Sequence, residues 1–101
     1  MAKGALQRIL HLTLEREWFD DIARGVKHEE LRKYKPYWTK RLEGRTFDVV
    51  KFRNGYASNA PEMIVEYRGL KRASAARNAD YVIRLGKVLQ IKRWRGTQWT
   101  C

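Results

Sequence analysis

Lys27, Glu30 and Arg32 bring two cations and one carboxylate together in a short stretch of the chain. In an extended strand Glu30 and Arg32 share a face, so the carboxylate can orient the guanidinium fork toward a phosphate or a base edge. Lys27 lies on the other face unless the strand begins later or a bend after Gly25 turns its amine into the same cleft. The alternative is a solvated edge strand whose ion pairs serve only the fold.

The segment 25–32, Gly-Val-Lys-His-Glu-Glu-Leu-Arg, fits the pattern Gly-x-Lys-x-x-Glu-x-Arg. Following an initial strand and an amphipathic helix, it resembles the signature of the ASCH (activating signal cointegrator homology) family, whose barrel is like that of PUA domains. Residues 81–88 are similar to the closing strand of that family, so the resemblance spans nearly the whole chain. It implies a cleft beside the barrel and a role in RNA binding, modified-nucleoside hydrolysis or RNA cleavage.

The amidohydrolase-like branch of that family implies three catalytic positions. Its motif lysine corresponds to Lys27, its hydroxyl residue three positions later is replaced here by Glu30, and Glu66 is the best candidate for its glutamate on a later strand. A lysine acts as nucleophile or base when its pKa is lowered, and neighbouring carboxylates act in the opposite direction. Deacylation is therefore disfavoured. An enzyme of this type would be a metal-independent ribonuclease or nucleoside amidohydrolase.

Basic and aromatic residues alternate after the motif, an arrangement that favours stacking on bases and pairing with phosphates. Tyr34, Tyr37 and Trp38 form a predicted stacking platform, although ordinary helix packing is an equal alternative for Trp38. Further basic residues, including Lys92, lie toward the C-terminus. The residues that we expect to contact nucleic acid are Lys27, Arg32, Lys33, Lys35, Tyr37, Trp38, Lys71, Arg72, Arg77, Arg93 and Arg95.

The overall charge points to an acidic partner. The 22 Lys and Arg residues outweigh 11 Asp and Glu residues, which gives a formal charge of +11. Nucleic acid is the natural partner of such a domain. We expect RNA, with DNA as the second choice, because the resemblance implies a PUA-like barrel. A protein adaptor for an acidic partner, or a charge that serves solubility alone, are the alternatives left open.

The remaining composition bounds compartment and cofactors. No apolar run approaches the ~20 residues that span a bilayer, and the first residues lack the apolar stretch of a secretory signal, so we expect a cytoplasmic protein without a membrane partner. Cys101 is the only cysteine and there are two histidines, which argues against a zinc site. We expect no metal, no cofactor and a monomer.

Apolar periodicity predicts the elements that hold these residues. Alternating residues predict strands over 7–14, 47–52, 63–67, 81–85 and 88–94, the last two forming a bent strand or a hairpin. One short helix carries Trp18, Phe19, Ile22 and Ala23, and a second begins at Pro36 and ends before Gly44. The stretch 69–78 is predicted to be a loop or a marginal helix. Together they predict one α+β domain over 1–101, a small PUA-like β-barrel of five to six strands with two short helices.

Overall fold

The computed structural model describes residues 7–75 and 79–94. Along the chain lie β1 (Ile9–Thr13), α1 (Arg16–Ala23), β2 (Glu29–Arg32), α2 (Pro36–Leu42), β3 (Val49–Arg53), β4 (Glu62–Arg72) and β5 (Tyr81–Lys92). The predicted α+β class is confirmed, with two short helices and a curled sheet. Within the described ranges the strands number five, the lower of the two predicted values.

The five strands form one sheet in the order β1-β3-β4-β5-β2, curled into a half-barrel. β1 runs parallel to β3, and the other neighbours are antiparallel. β1 and β2 are therefore the two edges of the sheet. The curl brings these edges together, since Arg32 Nη2 on β2 donates to the carbonyl oxygen of Thr13 on β1 at 3.1 Å. We call the gap between β1 and β2 the seam.

The core fills the concave side of the sheet. In β1, Leu10 and Leu12 are buried while His11 between them is exposed, which is the alternation expected of a strand with one face on the core. Both helices cover this side with apolar residues. The buried cluster comprises Leu10, Leu12, Leu14, Phe19, Ile22, Leu42, Val50, Phe52, Met63, Val65, Tyr81, Ile83 and Leu85.

α1 ends just before Gly25 and α2 begins at Pro36, as the sequence predicts. Gly25 follows α1 with a φ of +79°, a left-handed conformation that glycine adopts without a steric penalty. Pro36 occupies the first turn of α2, where its missing N–H costs no hydrogen bond. Within residues 7–75 and 79–94, no helix combines the length and apolarity needed to cross a membrane.

The prediction for 69–78 was wrong over its first part. Residues 69–72 continue β4 and pair with β5, with Leu70 opposite Ile83 and Lys71 opposite Val82. Register shifts interrupt this ladder just before Gly69, whose φ is +124°, so the simple alternation that marks a strand is lost there. Residues 76–78 lie outside the described part of the chain.

Candidate functional site

The chain turn after α1 places Lys27 beside the motif carboxylate. The backbone N–H groups of Val26 and Lys27 both donate to the carbonyl oxygen of Asp21, at 2.9 and 3.1 Å, and so fold the chain back onto the helix end. β2 begins at Glu29, so Lys27 precedes the strand and is not bound by its alternation. Its amine therefore reaches the face that carries Glu30.

Glu30 lies between the two cations of the motif. Its Oε1 is 3.9 Å from Lys27 Nζ, and its Oε2 is 3.1 Å from Arg32 Nη2. Glu30 is buried, whereas Lys27 and Arg32 are partly exposed at the seam. One carboxylate thus orients two cations, and the three motif residues meet at one point of the surface.

Two tryptophans flank this ion-pair arrangement. Lys27 Nζ lies 5.2 Å from the ring centroid of Trp18, and Arg32 Cζ lies 4.9 Å from that of Trp38. Both distances are within the range of cation–π attraction. A cavity of about 210 Å³ opens here, lined by Trp18, Lys27, Glu30 and Leu31. We call Trp18, Lys27, Glu30, Arg32 and Trp38 the seam cluster.

The seam cluster combines a buried carboxyl group with two partly exposed cations. Burial raises the pKa of the Glu30 carboxyl above its usual value, and this desolvation outweighs the opposing attraction of Arg32 and Lys27. Among the described residues, Arg32 Nε is a buried donor without a hydrogen-bond partner. This buried atom is closed to a ligand, but Lys27 and Arg32 are partly exposed and can bind an anion or a base edge, and a carboxyl with a raised pKa can also donate a proton.

A basic surface continues from the seam cluster along α2. Tyr37 meets Trp38 edge to face at a centroid distance of 4.9 Å, and Arg41 Cζ lies 4.0 Å from the Tyr37 ring. Lys33, Lys35 and Lys40 are exposed. Trp38 also packs against the core, so the packing that the sequence left as an alternative is present alongside its contact with Arg32. We call Lys33, Lys35, Tyr37, Lys40 and Arg41 the α2 surface.

The other predicted contact residues are distributed around the sheet. Lys71 is exposed on β4, and the Arg72 guanidinium lies 3.7 Å from the Tyr34 ring centroid. Arg93 Nε donates to the carbonyl of Ala60 at 2.9 Å, and its Nη2 lies 3.6 Å from Glu62, so this side chain is engaged with the β3–β4 connection. Arg77 and Arg95 lie outside the described residues.

Glu66 has other partners than the seam cluster. Its Oε1 accepts from the Lys87 backbone N–H at 3.0 Å and from Arg68 Nη2 at 2.9 Å. The hydrogen bond from Lys87 is the main reason that the pKa of Glu66 is lowered, followed by the one from Arg68. Of the three residues named as catalytic, the structure joins Lys27 and Glu30 and places Glu66 in this separate arrangement.

A larger groove, of about 580 Å³, lies next to Glu66 and away from the motif contacts. His28, Glu29, Arg68, Arg84, Leu85, Gly86 and Lys87 line it. Despite the size of this groove, we place the candidate functional site at the seam, because the buried carboxylate of Glu30 and its two paired cations are found there. His28 itself is exposed.

Sequence reasoning missed Trp18 as a site residue. Its helical spacing with Phe19 and Ile22 is typical of core packing, yet 43% of Trp18 remains exposed at the seam. The available signal was that Trp18 lies on α1, the helix just before Lys27. Apolar periodicity gives no information about such proximity. The Thr13 carbonyl that receives Arg32 was also unpredictable, because backbone acceptors carry no sequence signature.

Comparisons with protein-family models, curated proteins and solved structures found no match to this chain. The likeness to the ASCH family thus stays a prediction from the motif. Among the residues that the structure describes, no group of three or more His, Cys, Asp or Glu side chains is arranged to hold a metal ion.

Proposed function

We propose that this domain binds RNA, with the seam cluster taking a phosphate or a base edge and the α2 surface following the adjoining backbone. The observation that carries the proposal is a buried carboxylate, Glu30, which holds Lys27 and Arg32 at 3.9 and 3.1 Å beside two tryptophans. Buried charged groups are paired, and pairs with perturbed pKa values cluster at functional sites. An anionic, partly aromatic ligand matches both features.

The physical basis of binding differs between the two surfaces. At the seam cluster, the planar guanidinium of Arg32 has its direction fixed by the contacts of Nη2 with Glu30 and with the Thr13 carbonyl. On the α2 surface, exposed lysines supply charge without fixed geometry, which suits a backbone of variable shape. Exposed Tyr37 adds a ring for stacking on an unpaired base. This combination favours single-stranded over duplex RNA.

The experiment that tests this proposal compares charge removal at the seam with charge removal elsewhere. Arg32→Ala and Lys27→Ala are each assayed for binding to labelled single-stranded RNA, duplex RNA and DNA. Arg8→Ala is the matched control, because Arg8 is exposed and precedes β1, at the end opposite Thr13. Circular dichroism establishes that each variant is folded.

We expect Arg32→Ala to weaken binding of single-stranded RNA by about ten- to a hundredfold, as for a charge-assisted contact. Lys27→Ala weakens it less, since its ammonium is held less closely, and Arg8→Ala binds as the wild type does. A folded Arg32→Ala variant with wild-type affinity, or a wild type that binds no RNA, contradicts the proposal.

A hydrolase at the same place is the second candidate, and the raised pKa of Glu30 is the observation that favours it. A carboxyl that keeps its proton at higher pH is suited to general acid catalysis on RNA or on an acylated nucleoside. The same binding reactions are therefore analysed for strand integrity. Cleavage by the wild type that is lost in both Glu30→Gln and Lys27→Ala supports this candidate, and intact RNA after prolonged incubation excludes RNA cleavage.

A further inference from the structure

The connection between β3 and β4 is held firmly although it lies on the surface. The Asn54 backbone N–H donates to the Pro61 carbonyl at 3.0 Å, closing the base of the loop. Arg53 and Arg93 donate to the carbonyls of Ala57 and Ala60, and Ala60 itself is buried. These three hydrogen bonds hold the loop against the ends of β3 and β5.

Tyr56 projects from this fixed loop into solvent. It is 88% exposed, the highest value among the exposed large hydrophobic residues that the structure describes. Gly55, with a φ of +104°, provides the left-handed turn that directs the chain outward just before it. A single exposed aromatic ring is common on protein surfaces, but a ring held out by a rigid loop is prepared for contact at a low cost in conformational entropy.

The loop lies one strand away from the seam cluster. Asn54 Nδ2 donates to the carbonyl of Leu14 at 3.0 Å, while Arg32 donates to the preceding carbonyl, that of Thr13. Successive carbonyls of an extended chain point to opposite sides. Asn54 and Arg32 therefore donate hydrogen bonds to the end of β1 from its two sides. β1 borders the seam and β3 lies about 4.8 Å beyond it, so a flexible nucleic-acid strand held at the seam can also reach the start of the loop.

We propose that Tyr56 stacks on an unpaired base of the strand whose neighbouring nucleotide lies at the seam cluster. This inference rests on the proposed RNA binding and makes it more specific: the ligand is single-stranded, and it crosses the end of β1 from Arg32 to Tyr56. Stacking requires a ring but no hydroxyl group, and it uses a π-face that every base has. Recognition at Tyr56 is therefore independent of base sequence.

The test substitutes Tyr56 and follows binding to single-stranded and duplex RNA. Tyr56→Ala is expected to weaken single-strand binding about tenfold and leave duplex binding unchanged, because paired bases offer no free face. Tyr56→Phe retains wild-type affinity. Leu89→Ala is the matched control, since Leu89 is also an exposed apolar residue but lies on β5. It is expected to bind like the wild type.

A second measurement links the effect to one base. A set of oligonucleotides, each with a single abasic nucleotide, is tested against wild type and Tyr56→Ala. At one position the abasic nucleotide should weaken wild-type binding and remove the difference between the two proteins. Equal affinity of Tyr56→Ala and wild type, with Arg32→Ala still impaired, overturns this inference alone. Wild-type protein that binds no RNA overturns the proposed function and this inference with it.

Discussion

Glu30 is the residue on which the seam cluster depends. Its carboxylate is buried, and the attraction of Lys27 and Arg32 only partly offsets the loss of hydration. The same side chain fixes the direction of both cations. A residue that costs stability while it organises charged groups fits the binding role that we propose for the seam cluster.

This balance predicts how stability depends on pH. The pKa of Glu30 is raised in the folded state above its ordinary value of 4.5, so the folded protein binds its proton more tightly than the unfolded chain does. Protonation of Glu30 therefore stabilises the folded state relative to the unfolded chain. This stabilisation is full below pH 4.5 and is lost as the pH rises through the raised pKa. Urea unfolding across this range should show that the free energy of unfolding of the wild type falls relative to that of Glu30→Gln.

The matched control for this measurement is Glu29→Gln, the exposed neighbour on the other face of β2. It removes one carboxylate of the same type from the same strand, and it should retain the wild-type fall. A constant difference between wild type and Glu30→Gln across the range contradicts the assignment of this pH dependence to Glu30.

At the scale of elements, α2 is attached to the sheet by a buried hydroxyl group. Tyr81 on β5 is almost fully buried, and its hydroxyl forms hydrogen bonds with Thr39 Oγ1 at 2.6 Å and with the Glu43 carboxylate. Burial and the bond to Glu43 raise the pKa of Tyr81, so the hydroxyl keeps its proton as a donor. This contact positions the α2 surface together with the packing of Leu42 and Trp38 on the core.

Tyr81→Phe tests that attachment. The change leaves the ring in place but removes the hydroxyl, and Thr39 and Glu43 lose a partner, so the free energy of unfolding should fall by about 1–2 kcal/mol. Chemical denaturation measures the change. Tyr56→Phe is the control, because its hydroxyl belongs to an exposed side chain and its loss should alter stability by less than about 0.5 kcal/mol. Equal stabilities of Tyr81→Phe and wild type contradict this role.

Prediction from the sequence succeeded where the signal is local. Gly25 and Pro36 mark helix boundaries by their backbone preferences, and Leu10 and Leu12 mark a strand by alternation, so these elements were placed to within a few residues. The extension of β4 through Leu70 was missed because it depends on pairing with Ile83, and bulges near Gly69 hide the alternation.

The site was predictable in part for the same reason. Lys27, Glu30 and Arg32 are close in sequence, so their meeting follows from one turn and one short strand. The contact of Arg32 with the Thr13 carbonyl, by contrast, depends on the curl of the sheet, which brings its two edges together. That curl is a property of the whole sheet, and no segment of the sequence specifies it alone.

At the scale of the molecule, the excess positive charge is unevenly neutralised. After residue 50 there are 11 basic and 3 acidic residues. One carboxylate, that of Glu62, lies within ion-pair distance of three cations, Lys51, Arg53 and Arg93. Such a molecule attracts any polyanion to some degree. Localised binding must therefore be distinguished from attraction to the molecule as a whole.

The dependence of RNA affinity on salt makes this distinction. Each phosphate neutralised on a single strand contributes about −0.7 to the slope of log K against log salt. If the cations of the seam cluster and α2 surface all engage phosphates, the slope should be about −4. Replacing Lys33, Lys35, Lys40 and Arg41 by alanine should make this slope shallower by about 3.

A control that replaces Arg8, Arg68, Arg84 and Lys87 removes the same charge elsewhere and should leave the slope unchanged. If the control flattens the slope equally, binding is spread over the whole molecule and the assignment to the seam and α2 is wrong.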